Sequence, residues 1–442
     1  MSAETPGRAD PGLGPWPATY GRDDTGALAV GGVSVADLAR DRGTPLLVVD
    51  EEDLRQRCRQ YRAAFPDAEV AYASKAWCVT GILQVVAEEG LWVDVASGGE
   101  LHTAHVAGIP MDRVILHGNN KSPSELRQAA ELGVGRVVVD SLAELERLEA
   151  IGRERDHDFT CWLRITPGID AHTHDYVRTG HDDTKFGFTL SLGLADEAAA
   201  RAGDLAHVRV VGIHSHIGSQ IFGTDAFAAN ADVMVGLLAR CVDEHGLPVT
   251  ELNLGGGMGI RYTHEDRPVE VAHLADEVTA ELVKACDRHG AEPPRLFVEP
   301  GRAIVGPSAF TLYEVGTVKA LAGIRTYVSV DGGMSDNIRP ALYGAEHEVT
   351  LANRAGEGVA AYTVVGKHCE SGDLVAERAS LPEDLAPGDL LAVAATGAYT
   401  ESMASNYNRI GRPAAVLVRD GVVRPLLRRE TMEDLVARDI PL

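Results

Sequence analysis

Between Pro45 and Gly301 short apolar runs alternate with stretches whose apolar positions recur at helical spacing. The runs are too short for helices and are bounded by Gly, Asp, Ser or His. They predict strands over Val70–Ser74, Trp92–Ala96, Val114–His117, Arg136–Asp140, Cys161–Ile165, Val208–His216, Glu251–Leu254 and Leu296–Glu299. One intervening helix carries its own start signal at Ser122-Pro-Ser-Glu125: a capping serine, proline at the first helical position and a glutamate three residues on. Eight strand–helix units predict a (β/α)8 barrel of the TIM type, in the α/β class. An open doubly wound sheet is the rival from pattern alone, and it needs fewer strands.

Beyond Gly301 the texture changes. Phe310–Lys319, Ile324–Val330, Val359–Val365, Leu390–Ala395, Ala414–Arg419 and Val422–Leu427 read as strands separated by Gly, Pro and Asp turns, with little helical pattern before a short helix near Glu430–Ala437. Ala27–Val35 is strand-like as well and is expected to pair with this second region. The expected organisation is residues 1–44 as a flexible leader plus a strand joining the β domain, 45–308 as the barrel, and 309–442 as a C-terminal antiparallel β-sandwich or β-barrel domain.

Composition narrows the function classes. A chain of 442 residues with 45% apolar and 24% charged residues has material for two globular domains. The formal charge of −24, from 65 acidic against 41 basic residues, disfavours nucleic acid or an anionic membrane as partner. Local arginines still leave room for an anionic small molecule. Cys58, Cys78, Cys161, Cys241, Cys286 and Cys369 show no paired or metal-type spacing, so reduced thiols in a cytoplasmic enzyme are expected. Met1–Gly21, rich in Pro, Gly and Ala, lacks the apolar centre of a signal peptide, and no run of 18 apolar residues predicts a membrane span.

Barrel active sites gather at the C-terminal ends of strands, and the chain's unusual residues fall there. Lys75 ends the first strand, Asp94-Val-Ala-Ser-Gly-Gly-Glu100 the second and His117-Gly-Asn-Asn-Lys121 the third; His214-Ser-His-Ile-Gly-Ser-Gln220 ends the sixth, Gly255-Gly-Gly-Met-Gly259 the seventh and Glu299-Pro-Gly-Arg302 the eighth. A lysine in that position is either a solvated terminus or the covalent anchor of a carbonyl cofactor such as pyridoxal phosphate. Gly255–Gly257 is either a tight turn or an anion cradle of backbone N–H groups, with Ser219 as an added donor. His214 and His216 share one strand face, and His172-Thr-His174 repeats their spacing. The pair also fits a metal-dependent hydrolase, whereas His172 and His174 read best as a solvated loop. Glu299 closes a buried strand and must be paired, with Arg302 for example, or used. One use is to keep a pyridine nitrogen protonated.

Read in order, these segments resemble the alanine-racemase-like (fold type III) pyridoxal-phosphate decarboxylases from about Ala27 to Leu435. The motifs are Tyr-Ala-Ser-Lys75-Ala, Val-Ala-Ser-Gly-Gly-Glu100-Leu, His117-Gly-Asn-Asn-Lys121-Ser, His214-Ser-His-Ile-Gly-Ser-Gln, Leu254-Gly-Gly-Gly and Glu299-Pro-Gly-Arg. Arg339-Pro-Ala-Leu-Tyr343-Gly-Ala, Cys369-Glu-Ser-Gly-Asp373 and Gly-Ala-Tyr399, followed by Ser402-Met-Ala-Ser-Asn-Tyr-Asn408, are similar to the diaminopimelate decarboxylase branch.

The resemblance implies a carboxy-lyase that converts meso-2,6-diaminopimelate to L-lysine and CO2, the last step of lysine biosynthesis by the diaminopimelate route. It implies that Lys75 anchors the cofactor, His216 stacks on its ring, Glu299 pairs with its pyridine nitrogen, and Ser219, Gly257, Gly301 and Arg302 hold its phosphate. Arg302, Arg339 and Tyr343 would bind the distal end of the substrate, with Glu370 on its ammonium, and Tyr399 would touch both cofactor and substrate. Cys369 would be the proton donor, reaching the site with Glu370 from the partner subunit of a homodimer. Trp77 and Thr400-Glu401 depart from the more usual residues of the family, at positions given no role here. Alternatives are the same chemistry on carboxynorspermidine, ornithine or arginine, and a catalytically dead homologue; the latter typically loses the lysine or the cysteine, and both are kept here.

Overall fold

The structure, a computed structural model, describes residues 14–169 and 183–442. His172 and His174 lie outside the described residues. The chain divides into two compact units: residues 57–259 with 268–303, and residues up to 56 with 260–267 and 304–442.

The first unit is a closed parallel barrel with helices between its strands. We label the strands β1 (Glu69–Ala73), β2 (Trp92–Val95), β3 (Val114–Leu116), β4 (Arg136–Val139), β5 (Phe159–Thr166), β6 (Val208–Ser215), β7 (Glu251–Asn253) and β8 (Arg295–Val298). They pair in chain order, β4 pairs β5, and β8 closes on β1. All eight coincide with the expected strands to within two residues. The helix Pro123–Leu132 opens on the expected capping box, with Ser122 and Glu125 each satisfying the other's backbone N–H, and it ends at Gly133 in the left-handed conformation.

Side chains alternate along a strand, so a residue two positions beyond an interior one is also interior. The barrel floor is a buried cluster of Ala71, Trp92, Ile115, Val138, Trp162, Val211 and Phe297. The Phe297 ring meets Trp92 and Trp162 edge-on at 5.3 and 4.8 Å. Gly212 is required opposite Trp162, because a Cβ there would lie 2.5 Å from the indole. Beneath this layer Glu251 takes two hydrogen bonds from Arg136, at 2.7 and 2.6 Å, and one from the Trp162 indole at 2.7 Å. Two residues beyond floor residues of their own strands stand Asp94, His117, Asp140, Arg164 and Glu299, and two beyond Glu251 stands Asn253, all buried. His214, two beyond Gly212, is in register with both Arg164 and Asn253. The polar residues at the strand ends therefore form one layer on a dry aromatic base.

The second unit holds a nine-stranded sheet. Its order runs Leu374–Leu381, Ala360–Val365, Arg325–Val330, Ala309–Leu321, Leu46–Asp50, Ala414–Arg419, Val422–Leu427, and Leu390–Val393 joins Ala309–Leu321 to Val349–Leu351. The sheet is not wholly antiparallel as expected: Arg325–Val330 with Ala360–Val365, and Leu46–Asp50 with Ala414–Arg419, pair in parallel. Leu46–Asp50 thus lies in this sheet, although the sequence reading began the barrel at residue 45. Phe310 and Leu312 face one apolar cluster while Tyr313 and Val315 face another, as alternation along one long strand requires. Ala27–Val35 differs from expectation as well. It supplies the strands Leu28–Val30 and Val33–Ser34 of a separate three-stranded sheet, which packs on the core with Leu46, Val48 and Val416.

Candidate active site

Glu299 follows β8 and is the centre of the barrel's polar layer. His117 Nε2 lies 2.9 Å from Oε1 and His214 Nε2 3.1 Å from Oε2, and the Asn253 amide donates to Oε1 at 2.7 Å. An ionised carboxylate only accepts, so both imidazoles meet it as donors. Burial pushes Glu299 up, but the two histidines' charge and hydrogen bonds outweigh it and hold the carboxyl well below its ordinary range. Burial lowers His214 to about 4. This cluster is also the one set of metal-type donors found among the described residues, with ligand atoms within 4.8 Å of one another. A metal would need the imidazole lone pairs, which are absent from nitrogens that donate to Glu299. The geometry is that of a buried carboxylate kept anionic for a cationic partner.

Around it the charges alternate. Asp94 lies 3.8 Å from His117 Nε2, and burial raises it to about 6. Arg164 sits 3.8 Å from Asp140 and covers the Phe186 ring at 4.3 Å. Burial lowers Arg164, while the charges of Asp140, Glu299 and Asp94 support it. Lys75, in the turn Ser74–Ala76, is exposed, and its charge acts on Asp94, Glu100 and His216. His216 is held well below its ordinary value, first by burial and then by the charges of Lys75 and Arg164, so its ring is neutral. Its Nδ1 faces the Gly256 N–H at 3.4 Å.

The glycines beside it have no room for side chains. A Cβ at Gly255 would lie 2.5 Å from the Ser215 carbonyl, and those at Gly256 and Gly257 would run into the carbonyls of Glu299 and Gly218. Gly255 and Gly257 also have φ of 69° and 119°. A Cβ at Gly301 would meet the Ala73 carbonyl at 2.8 Å, which ties this turn to the strand that leads to Lys75. Arg302 donates to the Ser219 hydroxyl at 3.0 Å. Glycine backbone, a hydroxyl and a guanidinium suit a phosphate; an anionic carboxylate, a neutral imidazole and a primary amine suit an aromatic aldehyde with a basic ring nitrogen. The residues present fit pyridoxal phosphate.

The remaining expected residues lie in the second unit. Arg339, buried, stands over the rings of Tyr262 and Tyr343, at 4.8 and 5.7 Å from their centres. Cys369 is free and exposed, in contrast to Cys58, Cys161, Cys241 and Cys286, which are buried, and Glu370 is exposed beside it. The Cys369 N–H donates to Asn408 Oδ1 at 2.8 Å, and Tyr407 Oη lies 3.4 Å from Glu370. Tyr399 has a φ of 56° and follows Gly397, whose missing Cβ would run into the Val305 carbonyl.

Sequence reasoning gives no cofactor-binding role to His117, His214, Asn253, Asp94 or Arg164. The signal is there: Asp94, His117 and Arg164 each stand two residues beyond a floor residue of their own strand, as His214 does beyond Gly212 and Asn253 beyond Glu251. Lys121, by contrast, is structural. Its ammonium is 2.7 Å from Glu144 and donates to the carbonyls of Gly118 and Val138.

A family model described as pyridoxal-dependent decarboxylase, pyridoxal binding domain, matches residues 51–306. The diaminopimelate decarboxylase of Mycobacterium tuberculosis (strain ATCC 25618 / H37Rv) is 47% identical over 435 residues, 96% of this chain and 97% of that protein. The chain belongs to the diaminopimelate decarboxylase family. The Bacillus subtilis (strain 168) member is 46% identical over 428 residues, with 96% and 97% covered. Among solved structures, diaminopimelate decarboxylase from M. jannaschii in complex with L-lysine superposes with a TM-score of 0.91 at 32% identity, covering 96% of this chain and 98% of that one. A lysine/ornithine decarboxylase from Vibrio vulnificus shares the fold at a TM-score of 0.74 and 24% identity, covering 87% and 97%. Among the described residues no helix is long and apolar enough to cross a membrane.

Proposed function

We propose that the protein decarboxylates meso-2,6-diaminopimelate to L-lysine and CO2 with pyridoxal phosphate as cofactor. The observation that carries the reading is Glu299, ionised in a dry barrel by two imidazoles and an amide, beside a glycine cradle and Lys75. Pyridoxal phosphate, when bound, supplies an electron sink for the pair left at Cα as CO2 departs. Lys75 would hold its aldehyde carbon. Glu299 would keep a proton at its ring nitrogen, which would strengthen that sink. Neutral His216 would pack against its ring, and Ser219, Gly257, Gly301 and Arg302 would bind its phosphate.

In this reading Cys369 returns a proton to Cα, a role that a thiol with an ordinary value of roughly 8.5 fills near neutral pH. Arg302, Arg339 and Tyr343 take the distal carboxylate, Glu370 takes the distal ammonium, and Tyr399 touches cofactor and substrate. A substrate without that second head group leaves these side chains unpaired, which penalises ornithine or lysine as substrate. Cys369 and Glu370 act from the partner subunit of a homodimer. Incubation with meso-diaminopimelate, with and without added pyridoxal phosphate, should yield lysine only when the cofactor is present. Faster CO2 release from ornithine, carboxynorspermidine or arginine would overturn the substrate assignment, and a homogeneous, fully active monomer would overturn the shared site.

A further inference from the structure

The loop Lys367–Gly372 carries Cys369 and Glu370, and its anchor is the residue just before them. His368 is buried where Cys369 and Glu370 are exposed. Its Nδ1 lies 2.8 Å from Asp373 Oδ2, and its backbone N–H donates to the same oxygen at 2.8 Å. The other Asp373 oxygen accepts the Met334 N–H at 2.6 Å. Side chains at Gly333 or Gly366 would run into this carboxylate, so the pocket around it is closed.

The imidazole ring also stacks on Tyr407, with ring centres 5.8 Å apart and planes 5° from parallel. Tyr407 Oη reaches Glu370, and its neighbour Asn408, in the left-handed region at φ 53°, accepts the Cys369 N–H. The imidazole therefore touches both a fixed carboxylate and the turn that grips the next two residues of the loop. His368 Nε2 is buried without a hydrogen-bond partner among the described residues. Leaving it so costs free energy that a phenylalanine in the same stack would avoid. What histidine adds is the Nδ1–H bond to Asp373, which sets the ring's tilt and the path of the chain into Cys369.

We propose that His368 is a positioning residue for the proton-donor loop, setting through Asp373 and Tyr407 where the Cys369 thiol and the Glu370 carboxylate stand. The inference rests on the reading of Cys369 as donor and Glu370 as ligand of the distal ammonium. An exposed donor loop without such an anchor spreads over many conformers, whereas proton transfer needs hydrogen-bond reach.

The test uses the holoenzyme with His368→Phe, which keeps a stacking ring and loses the bond to Asp373. Turnover, KM and the pH profile of Cys369 alkylation by iodoacetamide, read by peptide mass, are compared with wild type. Expected are a kcat lower by about 10- to 100-fold per folded active site and an alkylation rate changed at least about threefold. A purely structural role would change the yield of folded protein and leave both unmoved. Should His368→Phe not fold, His368→Gln, which keeps a donor toward Asp373 and loses the stack, is read by the same two measures. A kcat and an alkylation profile both within about twofold of wild type in the variant that folds would overturn the proposal. Full turnover by Cys369→Ala would instead overturn the donor reading, and the alkylation profile would then decide on positioning alone.

Discussion

In the barrel, Glu299 is held by partners 46, 85 and 182 residues away in the chain, and every one of them is buried. In the second unit, Cys369 and Glu370 are exposed and lean on a turn 39 and 37 residues away. The first arrangement is set by strand register over a packed floor, and it does not move without unpacking the barrel. The second is set by a few hydrogen bonds and one ring stack, and it can be retuned by single substitutions. The roles proposed above divide the same way, with the cofactor at the fixed site and the proton donor and substrate head group at the adjustable loop.

The largest effects should separate the two halves by what they abolish. Lys75→Ala should remove both the pyridoxal chromophore and turnover. Cys369→Ala should keep the chromophore and lose about 10²- to 10⁴-fold in kcat, the usual worth of a positioned acid. Absorbance and lysine production check both, and a colourless Cys369→Ala would break the division. Next comes Glu299→Gln. A neutral amide cannot hold the ring proton, so a coloured enzyme slower by about 10²-fold is expected. Unchanged kcat in that variant would remove the role given to the carboxylate.

The two halves also differed in how far they could be read from sequence. Barrel strands were legible because each is a short apolar run followed by a chemically unusual residue, and the polar layer repeats the floor two positions on. His117 still received no role, since nothing local shows that its partner is a glutamate 182 residues later. The sequence places Leu46–Asp50 in the wrong region because a run of four apolar residues closed by an aspartate, buried on both faces, looks the same in either sheet. Val349–Leu351 gives no strand signal because it has only three residues, and Leu374–Leu381 gives none because charged and small residues interrupt its alternation. The grip of Tyr407 and Asn408 on the donor loop was invisible for a further reason: Asn408 and Arg409 both adopt positive φ, which their side chains do not announce.

Two glycines extend the comparison to stability. Gly212→Ala places a methyl against Trp162, between backbone and an immobile ring, and should cost about 1–3 kcal/mol. Gly372→Ala meets nothing nearer than Glu370 Oε1 at 3.9 Å and should stay within about 0.5 kcal/mol. Urea unfolding measures both. Equal costs would show that the donor loop is packed as tightly as the barrel floor.

A further effect comes from buried charge, which the barrel site has and the exposed Cys369 and Glu370 lack. Burial holds His214 at about 4, against roughly 6.5 when unfolded. As pH falls from 7 to 5 the unfolded chain gains a proton that the folded barrel refuses, so folding loses roughly 2 kcal/mol. Asp94, raised by burial to about 6, acts in the opposite sense. Its ionised form is disfavoured in the fold, so the folded state takes up a proton first and regains about 1 kcal/mol over the same interval. In the native sequence Asp94 offsets about half of the loss from His214. Asp94→Asn removes the compensation, and the cofactor-free variant should lose about 1 kcal/mol more than wild type between pH 7 and pH 5 in urea unfolding. Parallel pH dependence of the two proteins would mean that Asp94 is not the buried acid its surroundings make it.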